Sequence, residues 1–150
     1  MFKVGETVVH KTYGVGIIKG IEKREFTKGN LQQFYILNIV DDTLIKKVFV
    51  PFQDAQTRIR ALDKAAILKV YSYLLTDTIE LVDGETWNRR YRNYMELIHS
   101  GQAMDVAKVY KSLRERVAKV DASFGERKLL DQARNLLIAE FKAVGVEFPE

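Results

Sequence analysis

The sequence predicts an α+β protein in which a small β-barrel over residues 1–60 precedes an all-helical domain over residues 61–150. The chain has 150 residues, and 47% of them are hydrophobic, which is enough to build a buried core. Short β-type runs separated by Gly, Asn and Asp occupy the first part. In the second part, apolar residues recur with the 3.6-residue period of amphipathic helices.

The first domain contains four β-type runs, at residues 7–9, 15–26, 31–40 and 44–50. Residues 27–30 and 41–43 are predicted as tight turns, because Gly, Asn and Asp tolerate the backbone angles and local hydrogen bonds of turns. Four or five short antiparallel strands favour a strongly bent SH3-like or Tudor-like barrel, since a flat sheet of this size would leave its core half exposed.

Four helices are predicted in the second domain, over residues 65–75, from about 86 to 101, over 103–120 and from 123 to 145. Asp63 is the expected N-cap of the first helix. Ser123 and Glu126 have the spacing of a capping box at the start of the fourth. Gly101 and Gly145 are expected to end the second and fourth helices, because glycine readily adopts the left-handed conformation found there.

Composition excludes several classes of site. The chain has no cysteine, which rules out disulfides and thiolate ligands and fits a reducing cytoplasm. His10 and His99 are the only histidines and lie far apart, so we expect no metal and no cofactor. No apolar run reaches membrane-spanning length, and Met1 leads into Lys3 and Glu6 and not into a signal-peptide core. We therefore expect a cytoplasmic protein that does not enter the membrane.

Templates for catalysis are not matched. Residues 14–16 read Gly-Val-Gly but lack the third glycine and the following helix of a phosphate loop, and predict a bend at the start of a strand. Asp41 and Asp42 are adjacent and favour a two-acid turn over paired catalytic carboxylates. We expect His99 near a helix C-terminus and His10 on a strand surface. The sequence thus predicts no active site and no enzyme.

The charge is unevenly distributed along the chain. There are 24 basic and 20 acidic residues, a formal net charge of +4. Residues 1–60 carry ten basic and six acidic residues, whereas residues 61–150 carry fourteen of each. Within the second domain, residues 84–134 hold eleven basic and seven acidic residues. Two positive regions are therefore expected, and they favour anionic partners without requiring them.

The segment 86–92 holds the only tryptophan and three arginines. On a helix, one narrow arc contains Trp87, Tyr91, Tyr94 and Ile98. Arg90 flanks this arc, and Arg89 and Arg92 point away from it. An aromatic stripe at this spacing is typical of a core. Trp87 lies in the first turn, however, where its side chain can project beyond the stripe, and an exposed indole among arginines suits a wedge in the minor groove of DNA. Pattern alone leaves both interpretations open.

Arg127 and Lys128 form a second basic element, in the first turn of the last predicted helix. An exposed basic pair is usually a solvated helix face. Cations oppose the helix dipole at this end, so the pair also indicates a nearby anion such as phosphate, which free backbone N–H groups would attract as well.

Strand alternation places Arg24 with Phe26 on one face of a strand, and Lys47 with Phe49 on one face of another. The two valines beside Phe49 take the opposite face and are expected in the core. Solvent exposure of the first pairs would create a mixed apolar and basic surface, as at protein–protein contacts. Burial of Phe26 and Phe49 against the helical half is the other interpretation.

Segments in both halves resemble one known family. They are residues 2–9, the strand over 14–22, Val50-Pro51, residues 87–91, Gly125-Glu126 and Ala133-Arg134. Together they resemble the CarD/CdnL family of bacterial transcription regulators, from residue 2 to about residue 143. The first half also resembles the polymerase-interacting domain of the transcription-repair coupling factor, but the chain has no room for the helicase motors of that protein.

The resemblance implies a mechanism with two contacts. A Tudor-like N-terminal domain over residues 1–60 would bind the β subunit of bacterial RNA polymerase, partly by strand augmentation. The helical domain would contact promoter DNA at the upstream edge of the melted bubble, largely without sequence preference. The tryptophan of the family enters the minor groove there and opposes bubble collapse, and the matching residue is Trp87.

The residues expected to contact DNA are Trp87, Arg89, Arg90, Arg92, Arg127 and Lys128, and those expected to contact polymerase are Arg24, Glu25, Phe26, Lys47, Phe49 and Pro51. One position departs from the family. Where relatives carry an arginine just before Val-Pro, this chain has Phe49, with Lys47 on the same face. We expect Lys47 to replace that arginine only in part.

The expected function is that of a monomeric, cofactor-free transcription regulator, associated with the nucleoid through polymerase. A few phosphate contacts give only weak, salt-sensitive and sequence-blind DNA binding, so tethering to polymerase would supply the effective concentration. Two other classes remain open. The chain could be an RNA-binding or ribosome-binding barrel module, or a scaffold that binds only protein, with Trp87 buried.

Overall fold

The computed structural model describes residues 1–40, 44–80, 82, 84, 86–119 and 122–150, and for residues 26 and 40 it describes the backbone alone. The chain divides into two compact units, Met1–Leu62 and Asp63–Glu150. The first unit is built on an antiparallel sheet and the second on helices. The predicted α+β fold class, a small barrel-like β domain followed by helices, is confirmed.

The first unit contains a five-stranded antiparallel sheet. Its strands are β1 (Thr7–His10), β2 (Gly14–Thr27), β3 (Asn30–Val40), β4 (Ile45–Pro51) and β5 (Ile59–Ala61). Their order across the sheet is β4-β3-β2-β1-β5, and a 3₁₀ turn (Phe52–Asp54) and a short helix α1 (Ala55–Arg58) connect β4 to β5. The sequence runs therefore predicted the long strands correctly, and β5 is the short fifth strand.

The sheet folds around a core that includes Val8, Ile18, Leu37 and Val50, which are all fully buried. The β2–β3 turn follows the prediction, because Gly29 adopts a φ of 83° between the paired residues Thr27 and Asn30. The turn expected at residues 41–43 lies outside the described residues.

The second unit contains α2 (Lys64–Leu75), α3 (Trp87–Ile98), α4 (Ala103–Lys119) and α5 (Phe124–Val144). Asp63 caps α2 by accepting a hydrogen bond from the Ala66 N–H, as predicted. Gly145 ends α5 in the left-handed conformation at φ 77°. Helix α3 ends at Ile98, three residues before Gly101, which adopts the expected left-handed conformation at φ 87°.

The core of the second unit is formed by apolar faces of all four helices. Lys111 of α4 lies among them and is only 2% exposed. Its ammonium donates to the Tyr73 and Thr76 carbonyl oxygens at the end of α2, both at 2.8 Å. Burial, and then the positive charge of Arg114, lower the pKa of Lys111. A cation thus satisfies the terminal carbonyl groups of α2.

His10 corrects one expectation from the sequence. It was expected on a strand surface, but it is buried, and its Nδ1 accepts hydrogen bonds from the backbone N–H groups of Thr12 and Tyr13. The physical reason is that the tight β1–β2 turn leaves two N–H groups pointing inward, and the imidazole nitrogen satisfies both. His99 lies at the C-terminal end of α3, as expected.

Candidate functional site

Strand register defines a surface on the first unit that we call the sheet face, consisting of Glu22, Arg24, Lys47, Phe49 and Pro51. On β3, Phe34 pairs with both Glu22 and Pro51, and Ile36 pairs with Phe49. Because side chains alternate along a strand, these residues all lie opposite the core-facing Val50. The predicted burial of Val50 is confirmed, and Val48 packs partly against the same core.

Arg24 and Phe49 contact each other across the sheet face. The Arg24 guanidinium carbon lies 4.5 Å from the centre of the Phe49 ring, which is a cation–π contact. Arg24 Nε also donates to the Glu22 carboxylate at 2.9 Å, and both side chains remain about half exposed. Phe49 is 39% exposed and so is not buried in the core. Phe49 therefore provides an aromatic support for Arg24 on the sheet face.

The other predicted residues of this surface differ in position. Lys47 is exposed on the sheet face, and Pro51 is partly buried there. Glu25 lies on the opposite side by alternation, and its carboxylate accepts a hydrogen bond from the Gly29 N–H in the β2–β3 turn. The side chain of Phe26 lies outside what the structure describes. Register therefore groups Arg24, Lys47, Phe49 and Pro51, but not Glu25.

The edge of the sheet adds a feature that the sequence patterns did not single out. Strand β4 is the end strand of the sheet. Close to it, Tyr13, Leu44 and Ile45 are exposed and line a shallow apolar depression of about 400 Å³. The Lys46 ammonium lies 4.1 Å from the centre of the Tyr13 ring. An end strand with exposed apolar side chains is suited to pairing with a strand of another protein.

The second candidate site lies at the N-terminus of α3. We call it the tryptophan site, and it consists of Gly84, Trp87, Arg90, Tyr91 and Gly125. Thr86 caps the helix, with its hydroxyl oxygen accepting a hydrogen bond from the Arg89 N–H at 3.2 Å. Trp87 is partly buried against the core, and Tyr91 is 43% exposed with its ring centre 5.7 Å from that of Trp87.

The aromatic stripe of α3 is divided between the core and the surface. Tyr94 and Ile98, toward the C-terminal end of the helix, are almost completely buried. Trp87 and Tyr91 lie at the N-terminal end and remain partly accessible. Neither interpretation of the sequence pattern was therefore complete, because the same stripe is core at one end and surface at the other.

Gly125 supports the indole from the first turn of α5. A Cβ atom on this residue would lie 2.9 Å from Cζ2 of Trp87, closer than side-chain atoms normally approach. The absence of a side chain therefore allows the indole to lie directly against the α5 backbone. The contact joins the N-terminal turns of α3 and α5 into one surface.

A capping box fixes the α5 turn that carries Gly125. The Ser123 hydroxyl accepts from the Glu126 N–H at 3.2 Å, while the Glu126 carboxylate accepts from the Ser123 N–H at 3.3 Å. The same carboxylate is buried and pairs with Arg116 of α4. Burial alone raises the pKa of Glu126, but the Ser123 N–H and then the Arg116 guanidinium hold that pKa below its ordinary value.

Arg90 packs against the segment that precedes α3. Its guanidinium donates to the Gly84 carbonyl oxygen at 3.4 Å and its terminal carbon lies 5.9 Å from the centre of the Trp87 ring. A Cβ on Gly84 would come within 2.6 Å of the Arg90 side chain, so glycine is required for this close approach. Arg90 is partly buried beside Trp87, and its expected contact with DNA stays a prediction.

The remaining predicted cations are exposed. Arg89 and Arg92 lie on α3, and Arg127 and Lys128 lie in the first turns of α5. Arg127 also donates from Nε to the Ala122 carbonyl oxygen at 3.3 Å. Exposed basic side chains therefore lie on both helices that form the tryptophan site, with Arg89 and Arg92 on the side of α3 that points away from Trp87. In the described part of the chain, no group of three or more His, Asp or Glu side chains could hold a metal ion.

The sequence patterns missed Gly84 and Gly125 as parts of the tryptophan site. In the sequence, Gly125-Glu126 stands out only through the family resemblance and the capping-box spacing of Glu126. A glycine at the second position of a well-capped helix could have indicated the close contact of Gly125. Helix propensity disfavours glycine there, so its presence suggests that another group packs against the backbone.

A sheet unit followed by a helical unit that carries a partly buried tryptophan defines a two-domain protein. Its two units match two family models, the CarD-like/TRCF RID domain over residues 2–62 and the CarD C-terminal domain over residues 69–146. The chain belongs to the CarD family of transcription regulators.

A curated relative is similar over nearly the whole length. It is the protein named "Putative transcription factor YdeB" of Bacillus subtilis (strain 168), which is 26% identical over 150 residues, 96% of this chain and 92% of that protein. Family membership indicates a role in transcription regulation and a partner in the transcription machinery. Over the residues that the structure describes, no helix combines the length and the apolar character of a membrane span.

Proposed function

We propose that this protein binds the β subunit of bacterial RNA polymerase through the sheet face and the β4 edge, and stabilises the open promoter complex by inserting Trp87 into the minor groove at the upstream edge of the bubble. The observation that carries the proposal is the tryptophan site. Its indole rests on Gly125 and remains partly accessible, and the two helices that form the site, α3 and α5, also carry exposed cations.

The partial burial of Trp87 suits a wedge. An apolar side chain that unstacks a base step must not be displaced by the bases that it separates. Gly125 supports one side of the indole, Arg90 packs beside it, and Tyr91 lies along the helix. A fully buried tryptophan could not reach a base step, and a fully exposed one would lose more side-chain entropy on binding.

The exposed cations supply contacts to the DNA backbone. Arg89 and Arg92 on α3 and Arg127 and Lys128 on α5 can each approach a phosphate. Contacts of this type position a protein on DNA without reading its sequence. We assign Arg90 mainly to the support of Trp87, because its guanidinium is already bonded to the Gly84 carbonyl oxygen.

The sheet face and the β4 edge supply the contact with polymerase. Exposed Arg24 and Phe49 form a mixed cationic and aromatic surface of the kind enriched at protein interfaces. The end strand β4 can add its backbone to a strand of the partner, and the exposed Ile45 at its start can bury apolar area.

The contact with polymerase and the contact with DNA together can stabilise the open complex, although each is weak. The four exposed cations of α3 and α5 give only salt-sensitive DNA binding, so the helical unit alone would not locate promoters. Polymerase brings that unit to one place on the DNA at high effective concentration. A few kcal/mol of differential contact at the bubble edge then shifts the equilibrium from closed to open complex.

The wedge is tested with Trp87→Ala in complexes of polymerase and promoter DNA. We expect unchanged binding to polymerase and an open complex whose lifetime is shortened about tenfold, because the apolar wedge is removed while the polymerase contact is retained. Trp87→Phe serves as the conservative control and should retain part of the lifetime. An unchanged lifetime with a well-folded Trp87→Ala variant contradicts the wedge.

The polymerase contact is tested with Arg24→Glu in a pull-down from a bacterial lysate. We expect the β subunit to be lost, since reversal of the charge removes the cation–π contact and repels the partner surface. Lys23→Glu is the matched control, because Lys23 is exposed next to Arg24 but lies on the other face of β2. Capture of polymerase at wild-type strength by Arg24→Glu, or of ribosomal RNA in place of the β subunit, would overturn this assignment.

A further inference from the structure

Phe124 is the most exposed aromatic residue of the helical unit, at 82% of its surface. It is the first residue of α5 and directly precedes Gly125, on which the Trp87 indole lies. Helix propensity gives no reason for a phenylalanine there, and it packs into neither apolar core of the described chain. An exposed aromatic ring at this position is accessible to a partner.

The α5 helix places cations on the same side as Phe124. Arg127 and Lys128 follow it by three and four residues, so their side chains share one face of the helix, and both are exposed. Charge complementarity therefore favours a polyanion as the partner. An aromatic ring among cations is the combination that binds unpaired nucleotides, because bases stack on the ring while the cations approach the backbone.

We propose that Phe124 makes a second aromatic contact with promoter DNA, by stacking on an unpaired base at the upstream edge of the bubble while Trp87 occupies the adjacent base step. The proposal rests on the proposed function and extends it from one aromatic contact to two. Gly125 links the two rings, since it supports the indole and is the sequence neighbour of Phe124.

The test measures open-complex lifetimes with the full-length protein, polymerase and promoter DNA. Phe124→Ala should shorten the lifetime about fivefold, at the lower end of what the loss of one base-stacking side chain costs. Phe124→Trp should retain the wild-type lifetime, because a larger ring also stacks. Leu75→Ala, which truncates another exposed apolar residue of the helical unit, should have no effect.

A second template identifies the stacked group. When the unpaired nucleotides at the upstream edge are replaced by abasic ones, the wild-type lifetime should fall and the difference between wild type and Phe124→Ala should disappear. A difference that persists on the abasic template overturns base stacking and indicates that Phe124 contacts protein or the DNA backbone.

Trp87→Ala separates the two levels of the proposal. If Trp87→Ala shortens the lifetime and Phe124→Ala leaves it within twofold of wild type, the second contact is wrong and the proposed function stands. If neither variant changes the lifetime, the wedge and the second contact both fail.

Discussion

The sheet face and the tryptophan site are built in different ways. The sheet face follows from strand register, because alternation along β2 and β4 brings Arg24, Lys47 and Phe49 to one side. The tryptophan site depends on close packing between segments that are distant in sequence, since Gly125 of α5 supports Trp87 of α3. The residues of the sheet face are only presented to solvent by the sheet, whereas Trp87 is held in place by residues packed behind it.

This difference suits the two proposed contacts. A protein partner buries an exposed surface and adapts at its rim, so side chains presented on a sheet are sufficient. A wedge that unstacks bases has to resist displacement, and buried contacts behind the indole provide that resistance. Substitutions at the sheet face should therefore change binding with little effect on stability, whereas substitutions behind Trp87 should change stability or the position of the indole.

The largest effect is expected for Lys111→Met. The change removes the ammonium that donates to the Tyr73 and Thr76 carbonyl oxygens, and leaves the buried end of α2 without those donors. The free energy of unfolding of the helical unit should fall by about 2–3 kcal/mol. Trp87 is the only tryptophan, so urea titration followed by its fluorescence reports on this unit alone. Lys69→Met, at an exposed position of α2, is the control.

The sheet unit provides the contrast for Lys111→Met. Hydrogen exchange at the amides of β1 and β2 should be unchanged, because Lys111 belongs to the core of the other unit. Equal loss of protection in both units would show that they unfold together, and would remove the separation of the two sites on which the comparison rests.

The second largest effect is expected for Gly125→Ala, as a loss of function without a loss of stability. The added Cβ would lie 2.9 Å from the Trp87 ring and must displace it, although alanine is the better helix former. The open-complex lifetime should fall about tenfold, or about 1.4 kcal/mol, while the urea midpoint stays at or above that of wild type. A shift in the emission maximum of Trp87 should accompany the change.

Asn135→Ala is the matched control for Gly125→Ala. Asn135 is an exposed, neutral residue of the same helix, and its replacement also raises helix propensity. It should leave the lifetime and the fluorescence unchanged. A Gly125→Ala protein with wild-type lifetime would mean that the exact position of the indole is unimportant, and would refute the idea of a supported wedge.

Local sequence patterns predicted the strands, the β2–β3 turn and the helix caps well, because each of these features is determined by residues close together in the sequence. Alternation located the strands, Gly29 located a turn, and the Ser123–Glu126 spacing located a capping box. Each of these signals depends on backbone angles or on hydrogen bonds between near neighbours. Of the candidate site, the same patterns supplied Trp87 and its neighbouring cations, since a helix places them by its period alone.

The remaining features depend on contacts that no local pattern encodes. Gly125 is close to Trp87 only after α3 and α5 have packed. A glycine in a sequence does not show which distant residue will contact it. Local pattern favours a strand surface for His10, whereas its ring nitrogen accepts hydrogen bonds inside the β1–β2 turn. The cation–π contact of Arg24 with Phe49 spans β3, so it required the register of three strands.

A smaller effect is expected for Glu126→Gln, which weakens the capping box behind Gly125. Loss of the charge weakens the pairing with Arg116 and the acceptance of the Ser123 N–H, and should cost about 1 kcal/mol at neutral pH. Ser123→Ala removes the opposite half of the box and should cost a similar amount. Urea midpoints give both values, and a loss below about 0.3 kcal/mol in both variants would contradict a structural role of the box.

The pH dependence of Glu126 gives an independent check. Its pKa is lowered in the folded protein, so the unfolded chain takes up the proton first as pH falls. The stabilisation is therefore complete above the ordinary glutamate pKa of about 4.3 and is lost as pH falls through the folded value. Wild type should lose stability in this range more steeply than Glu126→Gln, and parallel curves would contradict the ion pair.

The smallest effect is expected for Phe49→Ala on the sheet face. Removing the ring takes away the support of the Arg24 guanidinium, a contact worth about 0.5–1 kcal/mol at an exposed site. Affinity for the β subunit should fall about twofold to fivefold, while Phe49→Tyr should bind as wild type does. Leu31→Ala is the control, because Leu31 is an exposed apolar residue of β3 on the opposite face by alternation.

The free energy of unfolding of the sheet unit shows whether Phe49 is only a surface residue or also stabilises the sheet. If Phe49 is only a surface residue, Phe49→Ala should change the free energy of unfolding of the sheet unit by less than about 0.5 kcal/mol, as expected for a surface position. A larger loss would mean that Phe49 supports the sheet as Gly125 supports the indole. The two sites would then share one design, because binding at each would depend on packing behind the contact residue.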